Sequence, residues 1–358
     1  MKLTDREWKE FFIDDVFDVS GTITTKPQDL ISGGSIPRIT CASTNNGLDN
    51  LYQNKPTEKG KVITIDSATI GFTAYQGYDF IATDHVEKIK LKSREMNCYI
   101  GLFLKQTIDS AIMQKYNYGY KFSQTRIKKQ KILLPVNKQG EPDYQFMEDY
   151  IKQLIHQKRK EYIEYANRKI EEKRREEKRR EEIEPLHSKK WKEFNIAQLF
   201  DIYSGKRLES YNQQSGNIPF IGATDSNNGI TNFVSNTNSS LDKNVLGVNY
   251  NGSVVCNYYH SYKCIFSDDV KRFHLKNKKD RKDILLFFST IIYQQREKYR
   301  YAYKFNAERM KRQYIMLPTN KNNEPDYEYM EDYIQNIIFN KYNDYIQYSN
   351  QKIQSLIN

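Results

Sequence analysis

The sequence predicts an α+β protein of two similar domains, each a small twisted β-sheet with helices, separated by two long antiparallel coiled-coil helices. Three observations carry this expectation: an internal duplication, short β-type runs punctuated by turn residues, and a long helical stretch closing each copy. WKEF at 8–11 returns at 191–194, a shift of 183 residues. IPRITCASTNNGLDNL (36–51) returns as IPFIGATDSNNGITNF (218–233), identical at seven of sixteen positions. KYNYGYKFSQTRIKKQ (115–130) returns as KYRYAYKFNAERMKRQ (298–313), identical at nine of sixteen. ILLPVNKQGEPDYQFMEDYI (132–151) and IMLPTNKNNEPDYEYMEDYI (315–334) match best, and the offset stays within 182–184 throughout. Such a period is too long for a solenoid, whose repeats span a few tens of residues. Each copy is therefore a domain with its own core, and 358 residues leave room for two.

Within a copy, the opening segment (Trp8–Phe17, Trp191–Phe200) ends in Phe-Asp and a glycine turn at Gly21 or Gly205. Short β-type runs follow, Lys61–Ile65 with Val86–Leu91 and Val245–Val248 with Val270–Leu275. Asn45–Gly47 and Asn227–Gly229 place Asn-Asn-Gly between strand-like segments, the turn chemistry hairpins favour. Tyr99–Leu104 and Ile284–Ile292 are apolar enough to be buried helices, and Ile132–Leu134 and Ile315–Leu317 are last strands running into proline.

After Glu-Pro-Asp the period changes. Asp143 and Asp326 are expected N-caps, with Glu148, Asp149, Glu331 and Asp332 favouring the positive end of the helix dipole. Met147, Ile151, Leu154, Lys158, Tyr162 and Tyr165 recur at steps of four and three, as do Met330, Ile334, Ile337, Lys341, Tyr345 and Tyr348. That pattern predicts a coiled-coil seam broken by one lysine in each helix. The first helix would reach Glu182, about 60 Å at about 1.5 Å per residue, and the second about 48 Å. In EEKRREEKRREE (171–182) opposite charges stand at i,i+3, which favours a solvated spacer over phosphate contact, because the glutamates cancel most of the field. Pro185 ends it. The expected domains are 1–142 and 185–325, with helices at 143–184 and 326–358.

The chain carries 56 Lys+Arg against 45 Asp+Glu, a net charge of +11 that favours a polyanionic partner, although a lysine-rich coding bias would give the same excess. Its 28 Tyr and 18 Phe lie among Lys, Arg and Asn, a mixture suited to a polar recognition surface. With no signal-type apolar stretch, no membrane-length apolar run and no Cys-x-x-Cys pair among Cys41, Cys98, Cys256 and Cys264, a cytoplasmic protein with reduced thiols is expected.

The sharpest candidate for nucleic-acid contact is the paired motif Lys115, Tyr116, Tyr118, Tyr120, Lys121 and Lys298, Tyr299, Tyr301, Tyr303, Lys304, with Arg300 inside the second copy. Alternating tyrosines on an extended segment would present their rings on one face. Arg126 and Lys128 downstream match Arg309 and Lys311, cations able to neutralise phosphate. The bland reading is a half-buried strand with solvated lysines. A second candidate is the polar loop pair Ser43, Asn45, Asn46 and Asn227, Asn228, with Thr40, Thr224 and Asp225 beside it. Asparagine pairs bidentately with adenine, but Asn-Asn-Gly is also an ordinary turn. A third is Asp66–Gln76 against Asn249–His260, which hold matching places yet differ in sequence and bring Tyr258 and Tyr259. If the copies read different bases, their divergence belongs in such segments.

Catalytic signatures are not found. There is no Asn-Pro-Pro-Tyr or Asp-Pro-Pro-Tyr, no glycine-rich cofactor loop and no Walker phosphate loop. The five histidines lack metal spacing. A nuclease-like set of Asp143 with Glu171, Glu172 and Lys173 would spread over about 40 Å of helix, too far to share a metal.

Two units opening with WKEF-x(5)-[VL]FD and closing in LPxNxxxEPDYxxMEDYI before a long helix resemble the specificity subunits of type I restriction–modification systems, close to the compact type IIB-like variants. The resemblance covers essentially the whole chain. It implies two target-recognition domains, each reading one half of a split double-stranded DNA site. It implies helices that fix the spacing and dock DNA methyltransferase subunits and restriction subunits. No cofactor is expected on this chain, with S-adenosylmethionine on the partner methyltransferase; no metal and no membrane are expected. The competing reading is a coiled-coil scaffold with two protein-binding domains and no DNA role, from which salt-dependent duplex binding would distinguish it.

Overall fold

The computed structural model describes residues 1–68, 71–117, 119–176, 183–299 and 302–357 and divides into two units, Met1–Tyr162 and Ile163–Asn358. Tyr118, Arg300, Tyr301 and the end of the charge run (177–182) lie outside the described residues.

In the first unit, β1 (Glu7–Phe12) leads through a single helical turn, α1 (Ile13–Val16), into β2 (Phe17–Gly21). β3 (Ser32–Ile39), β4 (Leu48–Tyr52), β5 (Val62–Asp66), β6 (Thr73–Gln76), β7 (Ile81–Ala82) and β8 (Val86–Leu91) follow. Helices α2 (Cys98–Ile112) and α3 (Gln124–Lys129), strand β9 (Lys131–Val136) and helix α4 (Tyr144–Glu176) complete the order. The strands form an antiparallel sheet ordered β2-β8-β5-β6, a smaller sheet β4-β3-β7 and a β1-β9 pair that joins the two ends of the repeat.

The second unit repeats this plan. Its elements are β10 (Trp191–Asn195), α5 (Ile196–Leu199), β11 (Phe200–Ser204), β12 (Ser215–Ile221), β13 (Ile230–Val234), β14 (Val245–Asn249) and β15 (Asn257–His260). Then come β16 (Ile265–Phe266), β17 (Val270–Leu275), α6 (Lys282–Tyr293), α7 (Ala307–Arg312), β18 (Tyr314–Pro318) and α8 (Tyr327–Ile357). Its sheets are ordered β11-β17-β14-β15, β13-β12-β16 and β10-β18. The β5–β8 and β14–β17 pairings and the buried helices are those expected from the apolar runs.

Each core lies between the four-stranded sheet and its long apolar helix. Phe17, Ile63, Ile65, Ile89, Leu104 and Phe122 are fully buried in the first unit, as are Leu246, Val248, Phe273, Leu285, Phe288 and Phe305 in the second. Burying such side chains stabilises by roughly 1.5–3 kcal/mol each before entropy is counted. α2 sits so close to the sheet that a β-carbon at Gly101 would lie 2.3 Å from the Tyr75 ring. Trp8 stacks on Phe103 and Trp191 on Phe287, each indole donating to a backbone carbonyl five residues earlier, Leu3 or Leu186.

The expected N-caps form. Asp143 Oδ1 accepts from Phe146 N at 2.9 Å and Asp326 Oδ1 from Tyr329 N at 3.1 Å. Each cap also pairs with a cation at the start of its own repeat, Asp143 with Arg6 at 2.8 Å and Asp326 with Lys189 at 2.9 Å. The first turns of the seam read from the sequence belong to the domains instead. Met147 and Ile151, and Met330 and Ile334, pack into their domain cores, which claims the first turns of each helix for the sheet. Leu154, Tyr162, Tyr165, Ile337 and Tyr348 are exposed, while Ala166, Ile170 and Ser349 are buried. From Ile163 onward α4 belongs with the second unit, where Tyr165 meets Tyr342 edge-on at 6.1 Å.

Candidate nucleic-acid interface

The β3–β4 and β12–β13 connections are built alike. Asn45 and Asn46 adopt φ of 51° and 54°, Asn227 and Asn228 of 49° and 52°, each pair followed by a glycine at φ 75°. Asparagine tolerates this left-handed region better than other side chains, which explains the shared Asn-Asn-Gly. Thr40 N donates to Gly47 O and Gly222 N to Gly229 O, both at 2.8 Å, closing each loop. Ser43, Asn45 and Asn46, and Asp225, Asn227 and Asn228, are left exposed.

Two further segments converge on each loop. In the first unit Gln76 donates to Asn46 O at 3.1 Å, tying β6 to the loop. In the second, Asn249 donates to Thr224 O and Ser253 N to Ala223 O, both at 3.0 Å. A β-carbon at Gly71 would lie 2.8 Å from Phe122, so the β5–β6 connection abuts the tyrosine motif. Gln124 donates to Glu87 at 3.0 Å from the same side. The three segments singled out in the sequence thus gather at one end of the sheet.

The tyrosine motif is not the extended strand that alternation predicts. Asn117 and Tyr120 close a tight turn by exchanging backbone hydrogen bonds, and the rings stack in a ladder. Buried Phe122 lies 4.4 Å from Tyr116, Tyr116 lies 5.7 Å from Tyr120 at 7° between planes, and the Arg126 guanidinium caps Tyr120 at 3.9 Å. Phe305, Tyr299, Tyr303 and Arg309 repeat it at 4.4, 5.7 and 3.7 Å. Each arginine is steadied by donating to a backbone carbonyl at 2.7 Å, Lys121 O or Lys304 O. Tyr116 donates to Gln130 at 3.0 Å and Tyr299 to Gln313 at 2.7 Å. These two tyrosines are packing groups, because ring stacking and the glutamine occupy both the faces and the hydroxyl. Tyr120 and Tyr303 remain about half exposed.

Lys115 and Lys298 are exposed beside the ladder, and Lys128 and Lys311 lie on the short helices α3 and α7. Lys311 stands 3.7 Å from Glu308. Tyr258 and Tyr259 separate onto opposite faces of β15. Tyr259 packs on the core and donates to Asn244 at 2.6 Å, whereas Tyr258 faces the Asn-Asn-Gly loop, 3.5 Å from where a Gly229 β-carbon would stand. Burial raises the Tyr258 hydroxyl above its ordinary range, assisted by Cys256, Asp225 and Tyr293 nearby.

Three features escaped sequence reasoning. An ion pair recurs at one place in both units, buried Glu58 with Lys88 and Asp242 with Arg272 at 2.8 Å. His274 bridges Asp280 at 2.7 Å and Asp242 at 3.0 Å, and the Asp280 hydrogen bond raises its pKa. Arg296 donates to the Tyr293 hydroxyl with its guanidinium 4.8 Å over that ring. The partners lie far apart in sequence or in a segment without strong periodicity, so no linear signal marked them. All four cysteines are free thiols, and no group of metal-binding side chains occurs among the described residues.

The family model for the type I restriction modification DNA specificity domain matches residues 5–165 and again 188–347. The chain therefore belongs to that family and carries its domain twice. It is 41% identical over 334 residues to the type II restriction enzyme BgcI specificity subunit S.BcgI of Heyndrickxia coagulans, covering 92% of this chain and 94% of the relative. Its role is that of a DNA-specificity subunit of a restriction–modification system, with two target-recognition domains and no catalysis of its own. Among solved structures, the type I S subunit from M. genitalium aligns with a TM-score of 0.46 at 14% identity, over 100% of this chain and 95% of that one. The HsdS subunit from Thermoanaerobacter tengcongensis aligns at 0.33 and 10%, over 98% and 94%. No helix among the described residues is long and apolar enough to cross a membrane.

Proposed function

We propose that each unit grips one half of a split double-stranded DNA target with the sheet end where the three segments meet. The observation that carries this is the recurrence of one exposed constellation in both units: a left-handed Asn-Asn-Gly loop beside an aromatic ladder capped by arginine. Lys115, Lys121, Arg126 and Lys128, with Lys298, Lys304, Arg309 and Lys311, neutralise phosphate, which positions the unit without reading sequence. Ser43, Asn45 and Asn46, with Asn227, Asn228 and Tyr258, meet base edges. Tyr120 and Tyr303 contribute their exposed surface.

On this reading the recognition domains are 1–142 and 185–325. The helices at 143–184 and 326–358 pair antiparallel as a coiled-coil strut that sets the gap between half-sites. The Tyr165–Tyr342 contact and the burial of Ala166, Ile170 and Ser349 support that pairing. Methyltransferase and restriction subunits dock on the chain in the cytoplasm, and S-adenosylmethionine binds to the methyltransferase. Selection from a randomised duplex pool tests the function. A two-part motif with a fixed gap, bound with a steep inverse dependence on salt, is expected. Salt-insensitive binding, or enrichment of no split motif, would refute it.

A further inference from the structure

The two units share the frame of the recognition end but differ in what stands inside it. In the second unit, Asp225 precedes the Asn-Asn-Gly loop, Tyr258 faces that loop from β15, and Tyr293 and Arg296 flank the end of α6. Asp225 and Arg296 both reach Cys256. The Cys256 thiol is pushed up by burial and then by Asp225, and pulled back by Arg296, while Tyr258 senses Asp225 and Tyr293.

The first unit shows what the same positions can hold. The shared Asn-Asn-Gly equates Asp225 with Ser43. Strand register equates Tyr258 with Ala74, because Gly247 pairs with Tyr258 as Thr64 pairs with Ala74. Counting back from the shared Lys-Tyr motif equates Arg296 with Met113 and Tyr293 with Ser110. All four positions change chemistry, whereas the ladder and its arginine do not change at all. A set that varies together inside a constant frame is what two readers of different base pairs require.

We propose that the second unit reads a G·C pair in its half-site through Arg296 and Asp225, and that the first unit has no charged reader at these positions. This rests on the function proposed above. The guanidinium fork matches the two acceptors of guanine in the major groove, and a carboxylate accepts from the cytosine amino group. Tyr293 holds the Arg296 side chain by its hydroxyl and its ring, limiting the rotamer freedom lost on binding. Glu297, 3.4 Å from Arg296, is exposed and gives it up readily. Met113, 72% exposed, offers the first unit an apolar surface for a thymine methyl group instead.

The test uses the full chain and a randomised duplex pool. Arg296→Met should lower discrimination at one G·C pair of one half-site by about tenfold or more, leaving the other half-site intact. Arg296→Lys keeps the charge and loses the fork, so discrimination should fall while the salt slope stays. Asp225→Ser should relax the same pair or its neighbour. Unfolding followed by Trp191 fluorescence in a Trp8→Phe background shows that the variant unit folds. Unchanged half-sites in Arg296→Met overturn the proposal. So does uniform weakening on all sequences with the salt slope reduced by about one, which marks a phosphate contact. A wild-type chain that enriches no split motif defeats the proposed function itself, a separate outcome.

Discussion

Replacing His260 with glutamine should make the second unit resistant to mild acid. His260 is fully buried at the end of β15, its ring 5.4 Å from Phe266 and 5.7 Å from Tyr262. Nδ1 stands 3.2 Å from the Tyr262 hydroxyl, while Nε2 has no hydrogen-bond partner among the described residues. Burial without a compensating anion disfavours the imidazolium and pushes its pKa from 6.5 down to about 4. A depressed pKa means that the unfolded chain takes up the proton first. Stability is therefore intact above about pH 6.5 and is lost as pH falls toward 4. Between pH 7.5 and pH 5 the loss is about 2 kcal/mol for this one group. Each unit holds one tryptophan, so Trp8→Phe leaves Trp191 as reporter of the second unit alone. Urea unfolding of that background, with and without His260→Gln, isolates the term, since all other titrating groups are common to both. The variant should lose about 2 kcal/mol less than its parent between the two pH values. Equal losses would show that His260 is protonated in the folded unit or already solvated, and the packing argument would fail.

His274 should behave oppositely. Its hydrogen bond to Asp280 raises its pKa, so its contribution is fully present below 6.5 and lost as pH rises through the folded value. His274→Gln should flatten the alkaline side of the Trp191 unfolding profile, and an unaltered slope between pH 6 and 9 would refute this. Asp143→Ala removes an N-cap and a half-exposed ion pair and should cost about 1–2 kcal/mol in Trp8-monitored unfolding. Asp143→Asn should keep most of the cap and lose less, and equal losses would show that the ion pair dominates. Inserting four residues after both Lys158 and Lys341 adds about 6 Å, about two base pairs. The selected gap should lengthen while both half-sites stay the same, and an unchanged gap sinks the strut. Gly247→Thr should destabilise the second unit by about 1–3 kcal/mol, because its β-carbon would stand 3.0 Å from Phe266 and 3.1 Å from His260. Adding His260→Gln and Phe266→Ala should recover most of that loss in the same unfolding assay.

The duplication made much of the fold legible. Two aligned copies of Asn-Asn-Gly and of Glu-Pro-Asp place turns and caps by chemistry that acts over three or four residues. Asp143 and Asp326 cap their helices as expected. Two local patterns misled because tertiary packing claimed them. Tyr116 and Tyr120 alternate like strand residues, but Phe122 draws Tyr116 inward and Arg126 closes the stack, so the segment turns back on itself. Met147 and Ile151 have coiled-coil spacing, yet a domain core takes them before any partner helix can. Arg296 was invisible for another reason. Its counterpart is Met113, so comparing the copies flagged no shared cation, and only its place beside Tyr293 and near Cys256 marks it.

One backbone carries two readers by changing the layer beneath the loop. Beneath the Asn-Asn-Gly loop the first unit places Thr64 and Gln76, with Gln76 donating to the Thr64 hydroxyl at 3.0 Å and to Asn46 O, and Ala82 stands on β7 paired with Ile39. The second places Gly247, His260 and Phe266 at the register-equivalent positions, where two rings fill the volume released by glycine. Any member moved alone leaves either a clash or an unpaired buried amide, and both cost more than a surface change. Specificity at this end of the sheet is therefore coupled to the layer below it. Exchanging readers such as the half-buried Tyr258 between units without the supporting trio should misplace the loop beside them, so a transplanted half-site preference depends on moving both layers together.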